Sequence, residues 1–334
     1  MFLVFLLACW VSFAAQIEDK VLICGIGRNV EKAIPNTIES AENLGSRFAD
    51  YRVIIYENNS TDWTKELFSE WKKKNPKVLF LTEQISKRRL AKQLSMKKIN
   101  RTEVIARARN RVLRKAMGKE FKSFKYVVWA DLDFMEPWDV ENLVDTILHP
   151  EHEWDGVFAY GAYDLFALRS PEWPIGFELL GLPFWDSHVH TLRPQFILSP
   201  ADPWKRVYSA FGGIAIYKRE ALKGCRYSGV VTEDLEKATV RWLEAAKEDT
   251  LFLKEYKETI SSAAKVDLPK GILKDRDKYP SELGVRLFPL GLFWFSCTPG
   301  ATLPWTCEHV PFHASMSLRG RDKLYINPKI RCHP

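Results

Sequence analysis

The sequence predicts an α/β fold in which a mostly parallel sheet is flanked by helices and followed by a smaller mixed region. Three observations predict it. Over roughly the first 150 residues, short apolar runs alternate with segments of helical period, the signature of a sheet covered on both faces. Each run ends in a polar or glycine-containing turn. The run Tyr126-Val127-Val128-Trp129-Ala130 closes on Asp131-Leu132-Asp133, so a buried strand delivers two carboxylates to its C-terminal end, where open α/β sheets bind ligands.

The first strand is Val21-Leu22-Ile23-Cys24, and Gly25-Ile26-Gly27-Arg28-Asn29 turns it into a helix running from about Val30 to Leu44. The second strand, Arg52 to Tyr56, ends in the polar loop Glu57-Asn58-Asn59-Ser60-Thr61-Asp62. Ser60 or Thr61 can cap the helix that carries Leu67, Phe68 and Trp71. A third strand, Val78 to Leu81, precedes a basic segment. Within that segment Ile105, Ala108, Val112 and Ala116 share one helical face, while Glu103, Arg107, Asn110 and Arg114 share another. Asp139 is placed to cap a helix through Val144 and Leu148. Beyond residue 156 the pattern shifts to short strands, Gly156 to Tyr160 and Ile214 to Tyr217, joined by long loops rich in Pro and Trp. Trp173, Trp185 and Trp204 read there as local packing before sugar-stacking platforms. Residues 232–283 read as a charged helical insertion with a loop, and no internal repeat is present.

Residues 2–15 carry no charge and finish in small residues, with Ser12-x-Ala14 as a cleavage motif, so residues 1–15 read as a secretory signal peptide. The stretch is shorter than the ~20 residues a spanning helix needs, which makes an anchor the lesser reading. Its removal leaves Cys24, Cys225, Cys297, Cys307 and Cys332, an odd number for an oxidising lumen. Sequons at Asn58, Asn59 and Asn100 matter only where N-glycosylation occurs. The net charge of +7 is uneven: residues 87–125 hold fifteen Lys or Arg against Glu103 and Glu120. This segment suits phosphates or an acidic membrane surface, with a solvated helical face as the plain alternative. Nucleic acid is disfavoured by the leader and by the absence of a binding motif.

The order of these motifs resembles nucleotide-sugar glycosyltransferases of the GT-A type, over most of residues 20–330. Tyr56-Glu57-Asn58-Asn59-Ser60-Thr61-Asp62 resembles the donor-binding loop of that fold, Ala106-Arg107-Ala108-Arg109-Asn110 its nucleotide-side helix, and Asp131-x-Asp133 its metal motif. Phe211-Gly212-Gly213-Ile214-Ala215-Ile216-Tyr217 is similar to the strand flanking the acceptor. Cys307-Glu308-His309-Val310-Pro311-Phe312-His313, followed by Leu324-Tyr325-Ile326-Asn327-Pro328, resembles the closing motif of a subset of these enzymes. Among relatives, the pattern is most similar to the fungal capsule-associated α-1,3-mannosyltransferase family and related bacterial enzymes. It departs from them by an insertion at about residues 230–300. The resemblance implies a nucleotide-sugar-binding half over residues 16–150 and an acceptor-binding half over 151–334. It also implies a manganese or magnesium ion, a GDP- or UDP-hexose donor with mannose as the hexose the mannosyltransferases suggest, and a glycan or glycoprotein acceptor.

The residues and the resemblance together give an expected site. Asp133 ligates the metal, and Asp131 holds the donor ribose or joins the metal shell. Glu57 and Asn59 stand at the nucleoside end, with a turn role as the alternative for Asn59. Arg107 and Arg109 lie two apart on a helix and point differently, so one meets the diphosphate, and Arg109 is the choice. His309 and His313 have the i, i+4 spacing of helical ligands, and the resemblance offers His313 as a third metal ligand. An inverting reaction needs a carboxylate base for the acceptor hydroxyl. Glu308 is the first candidate and Asp234 the second; a retaining reaction needs neither. The competing readings are a nucleotidyltransferase of similar sheet topology and a lumenal glycan-binding protein without turnover.

Overall fold

The computed structural model describes residues 17–94, 100–161, 164–176, 178, 196–246, 286–287, 293–294 and 304–332. In chain order these form β1 (Ile17–Gly27), α1 (Ile34–Ser46), β2 (Phe48–Asn58), α2 (Thr64–Lys74), β3 (Val78–Glu83), α3 (Lys87–Leu94), α4 (Arg101–Ala116), β4 (Tyr126–Asp131), α5 (Val140–Leu148) and β5 (Gly156–Tyr160). Then follow β6 (Lys205–Val207), β7 (Ile214–Lys218), α6 (Glu233–Ala245), the paired β8 (Arg286–Leu287) and β9 (Phe293–Trp294), α7 (His309–Leu318) and β10 (Leu324–Arg331). The leader, Trp185, Cys297 and most of the expected insertion lie outside the described residues.

One eight-stranded sheet organises the chain, in the order β3-β2-β1-β4-β7-β5-β10-β6. The first four strands are parallel, as expected from the strand–helix alternation. β7 then runs antiparallel between β4 and β5. The mixed second half therefore does not stand apart; its strands extend the same sheet.

Period-2 alternation divides the core in two. Along β1 and β4, Leu22, Cys24, Val127 and Trp129 face one layer, while Val21, Ile23, Tyr126, Val128 and Ala130 face the other. The first layer holds α4, α6 and α7 through Ala108, Val112, Leu235, Trp242, Val310 and Phe312. The second holds α1, α2 and α5 through Ile34, Leu44, Phe68, Trp71, Leu143 and Ile147. With both faces covered, β4 is buried from Tyr126 to Ala130, which explains its unbroken apolar run.

Local signals set the helix ends. Asn100 caps α4 by accepting from Thr102 N, and Asp139 caps α5 by accepting from Asn142 N. Asn100 is also buried in the fold. Helix α7 starts at His309 rather than at Pro311. Pro311 still falls in the first turn, where a missing N–H removes no helical hydrogen bond. Trp204 packs against Tyr325 and His152, and Trp173 against Phe196, in keeping with a packing role. Among the described residues Cys24, Cys225, Cys307 and Cys332 are free thiols, and burial pushes all four up from the ordinary thiol value. No described helix is long and apolar enough to cross a membrane.

Candidate active site

The C-terminal ends of β1, β2 and β4 converge, with Ile26 beside Asp131 and Gly27 beside Glu57. A cavity of about 400 Å³ opens there, between these strand ends and α4. Asp131 and Asp133 line it together with Arg28, Asn58, Arg101 and Arg109. Both aspartates line this one cavity although β4 ends at Asp131. Leu132 between them packs in the same layer as Val128 and Ala130 and against Gly25, whose missing side chain makes the room. Asp133 is exposed and hydrogen-bonds to no described residue.

Asp131 is held from behind. Arg109 Nη2 donates to its Oδ1 at 3.0 Å, and Arg109 Nε donates to Glu308 Oε1 at 2.9 Å. The guanidinium is 4% exposed and lies over the ring of Phe211, with its centre 4.7 Å from the ring centroid. Burial alone would disfavour its charge, but Asp131 and Glu308 hold it firmly protonated. A third carboxylate joins this centre. Asp164 accepts from the backbone N–H of Ala167 and of Gly212, the latter at φ +61, where a side chain would strike Ala159 O. Burial and the adjacent Glu308 push the Asp164 carboxyl up to about 6. Burial, with Asp133 and Asp164 nearby, pushes Asp131 up to about 7 despite Arg109. One guanidinium thus faces more carboxylates than it can neutralise.

Several expected site residues are engaged elsewhere. Glu57 is buried, accepting from Ser60 N at 2.7 Å and from the Thr82 hydroxyl at 2.7 Å, so its carboxylate ties down its own loop and is not on the cavity wall. Asn59 adopts φ 57 and exchanges two hydrogen bonds with the backbone of Ile85; it is a turn residue. Tyr56 and Asn58 line the cavity in their place. Arg107 turns away to Glu83, the Tyr56 hydroxyl and Gln93. Asp234 sits in the first turn of α6, paired with Arg319 at 3.4 Å on the wall of a different cavity. Glu308 is 6% exposed and stands behind Arg109, off the wall of this cavity.

His313 is the clearest correction. It is fully buried, with Nδ1 2.9 Å from the Ser209 hydroxyl and Nε2 2.7 Å from the Tyr217 hydroxyl. Both ring nitrogens are spent, so neither has a lone pair to offer a metal. Burial pushes its pKa down to about 3, and drives neighbouring His309 down as well. Both rings therefore stay neutral in the fold and charge on unfolding. Stability is fully present above about pH 6.5, the unfolded value, and is lost as pH falls toward 3. The His313 share is about 1.4 kcal/mol per pH unit below pH 6.5, and it is read as the difference between wild type and His313→Gln in urea unfolding from pH 6.5 to 5, because the raised Asp131 and Asp164 act in the opposite sense in both proteins.

Among the described residues no group of three or more His, Cys, Asp or Glu is placed to hold a metal by itself. Asp131 and Asp133 together still suit a hard divalent cation, which commonly takes one or two protein carboxylates and fills its shell with water and substrate phosphates. Sequence reasoning passed over Arg28, Arg101 and Asp164. Arg28 had a signal, since it follows Gly27 at the end of the first strand; Asp164 had none, because only the fold brings it to Glu308.

No family model matches the chain, and no curated protein matches it in sequence. Solved structures that align with it include the glucosyl-3-phosphoglycerate synthase of Mycobacterium tuberculosis in complex with Mn2+, UDP and glucosyl-3-phosphoglycerate. The identity is 17%, covering 71% of this chain and 67% of that one, with a TM-score of 0.35. TarS 1–349 of S. aureus aligns at 17% identity over 68% of this chain and 55% of that one, with a TM-score of 0.34. The mannosyltransferase PcManGT of Pyrobaculum calidifontis, in complex with GDP-Man and Mn2+, aligns at 13% identity over 79% and 82%, with a TM-score of 0.37. At these TM-scores the likenesses carry no argument about what this chain does; the residues of the cavity carry it.

Proposed function

We propose that this chain is a divalent-metal-dependent glycosyltransferase that moves a hexose from a nucleotide sugar to a hydroxyl of a glycan or glycoprotein. The observation that carries the reading is the make-up of one cavity: Asp131 and Asp133 at its mouth, with Arg28 and Arg101 on its walls and free of ion pairs to described residues. Its volume lies within the roughly 300–1,000 Å³ usual for small-molecule sites. Burial, with Asp133 and Asp164 nearby, disfavours the charge on Asp131, and a bound Mn2+ or Mg2+ would offset that. Such an ion would supply charge stabilisation for the departing diphosphate.

The chain's own residues do the rest. Arg28 and Arg101 are the cations we assign to the donor phosphates, and Tyr56 and Asn58 line the same cavity. Arg109 fixes the orientation of Asp131 and is itself held by Glu308, so both are positioning residues. With Glu308 withdrawn from the wall, a retaining course fits better than one in which it deprotonates the acceptor. The motif resemblance favours mannose as the first sugar to try. The apolar leader supports the secretory lumen as the place of action.

The test is nucleoside diphosphate release from a panel of GDP and UDP sugars, with Mn2+ and with chelator, for the wild type beside Asp133→Asn. One donor is expected to be turned over only with metal, and the variant to lose at least about a hundredfold while melting at the wild-type temperature. Equal release in chelator, or a fully active variant, would sink the proposal.

A further inference from the structure

We infer a second binding site, for an extended acidic glycan, in a groove on the side of α4 turned away from the donor cavity. Two cavities of about 680 and 570 Å³ adjoin there, sharing Asn110, Arg114, Gly224 and Arg226 as walls. The donor cavity uses Arg101, Val104, Ile105 and Ala108 of α4, whereas the groove uses Glu103, Arg107, Asn110, Arg111 and Arg114. The helix is thus a partition between two sites.

The groove is strongly cationic. Arg107, Arg111 and Arg114 follow one another at i, i+4 and i+7, spread over roughly 10 Å at the helical rise per residue, with Arg107 and Arg111 sharing Glu83 as their one partner carboxylate among the described residues. Arg114, Lys119, Lys122, Lys223 and Arg226 are exposed and form no ion pair with any described residue. Of the acids on the same walls, Glu220 is exposed without a partner among the described residues, and the others are engaged. Glu103 accepts from Gly229 N and the Ser228 hydroxyl, Asp234 pairs with Arg319, and Glu233 pairs with Lys237. Unneutralised cations along a trough are complementary to a ligand that carries repeated negative charge along its length.

The form of the surface selects among polyanions. The large apolar side chains exposed among the described residues are Trp63, Met135, Leu148 and Ile197, and none of them lines the groove. A bilayer docks best on a flat or convex face that also inserts apolar groups. A nucleic acid single strand calls for exposed aromatic rings on which its bases stack. A concave, arginine-lined trough without either feature fits a chain of acidic sugars, whose carboxylate or sulfate groups take forked hydrogen bonds from Arg.

The full-length chain is titrated by fluorescence anisotropy against a labelled heparin oligosaccharide, a neutral dextran oligosaccharide, polyglutamate and a single-stranded oligonucleotide, with sedimentation of phosphatidylserine vesicles alongside. The wild type should bind the heparin oligosaccharide and not the dextran. Arg114→Glu/Arg226→Glu should weaken that binding more than roughly tenfold while GDP and UDP binding in Mn2+ stays as in the wild type. Arg114→Gln/Arg226→Gln serves if the double reversal perturbs folding. The inference fails if the wild type binds no acidic oligosaccharide, or if the double variant binds as tightly as the wild type. Equal or tighter binding of polyglutamate or the oligonucleotide, or capture by vesicles that the variant abolishes, would reassign the groove and overturn the glycan.

Discussion

Arg109→Ala is expected to cost about 3–5 kcal/mol of folding stability, in contrast to the loss of donor affinity alone that a diphosphate-binding arginine would give. Three observations set that size. The guanidinium is 4% exposed; its Nε and Nη2 hold Glu308 and Asp131; and Trp129, Phe211 and Tyr227 surround it with aromatic rings. Alanine would leave these two carboxylates, with Asp164 beside them, facing one another without a counter-charge. Orphaned carboxyls escape the penalty by taking up protons, so the deficit relative to wild type should be largest near pH 8 and should shrink toward pH 5.5. Urea unfolding of both proteins at the two pH values reads this directly. Arg109→Lys should recover only part of the loss, because one ammonium cannot present two donors in a fixed fork to two acids. A deficit below about 1 kcal/mol, flat with pH, would mean that Arg109 is not the keystone of this centre.

The same residue shows what the sequence discloses and what it withholds. The fold was legible because a parallel strand covered on both faces has to be apolar without interruption, as Val127, Val128 and Trp129 are, and because Asn100 and Asp139 announce helix starts through local hydrogen bonding. The mouth of β4 was legible for a related reason: carboxylates that close such a run can only emerge at the sheet edge. Roles that depend on long-range partners were not. Helical spacing separated Arg107 from Arg109, yet it gave no sign that Glu308, 199 positions later, would draw Arg109 inward. For His309 and His313 the spacing fits a metal pair as well as a core pair. What decides is whether hydroxyls such as those of Ser209 and Tyr217 already occupy the ring nitrogens, and those come from distant parts of the chain. Glu57 failed for a local reason: the loop it was expected to serve needs a carboxylate to tie down Ser60 N, and that need came first.

Glu178→Ala should be as damaging as Arg109→Ala, with a cost of about 3–5 kcal/mol. Glu178 and Arg169 form a buried, forked pair, with Nη2 2.6 and 2.7 Å from the two carboxylate oxygens. The remaining capacity of each group is also used. Arg169 Nη1 donates to the carbonyls of Phe166 and Leu168, and the Thr306 hydroxyl donates to Glu178 Oε2. The pair thereby joins the chain after β5 to the segment that leads into α7, and so fixes the approach to Glu308. Gly176 lies so close that a Cβ there would sit 2.1 Å from the guanidinium carbon, which leaves Arg169 no room to swing toward water once its partner is gone. The penalty is then that of an uncompensated buried charge rather than of a lost attraction. Arg169→Met/Glu178→Leu should accordingly be more stable than either single variant, with a coupling of roughly 2–3 kcal/mol in a double-mutant cycle. Added salt should leave the coupling almost unchanged, since ions do not screen a pair with so little exposed surface. Additive single and double variants would show that the two side chains act independently.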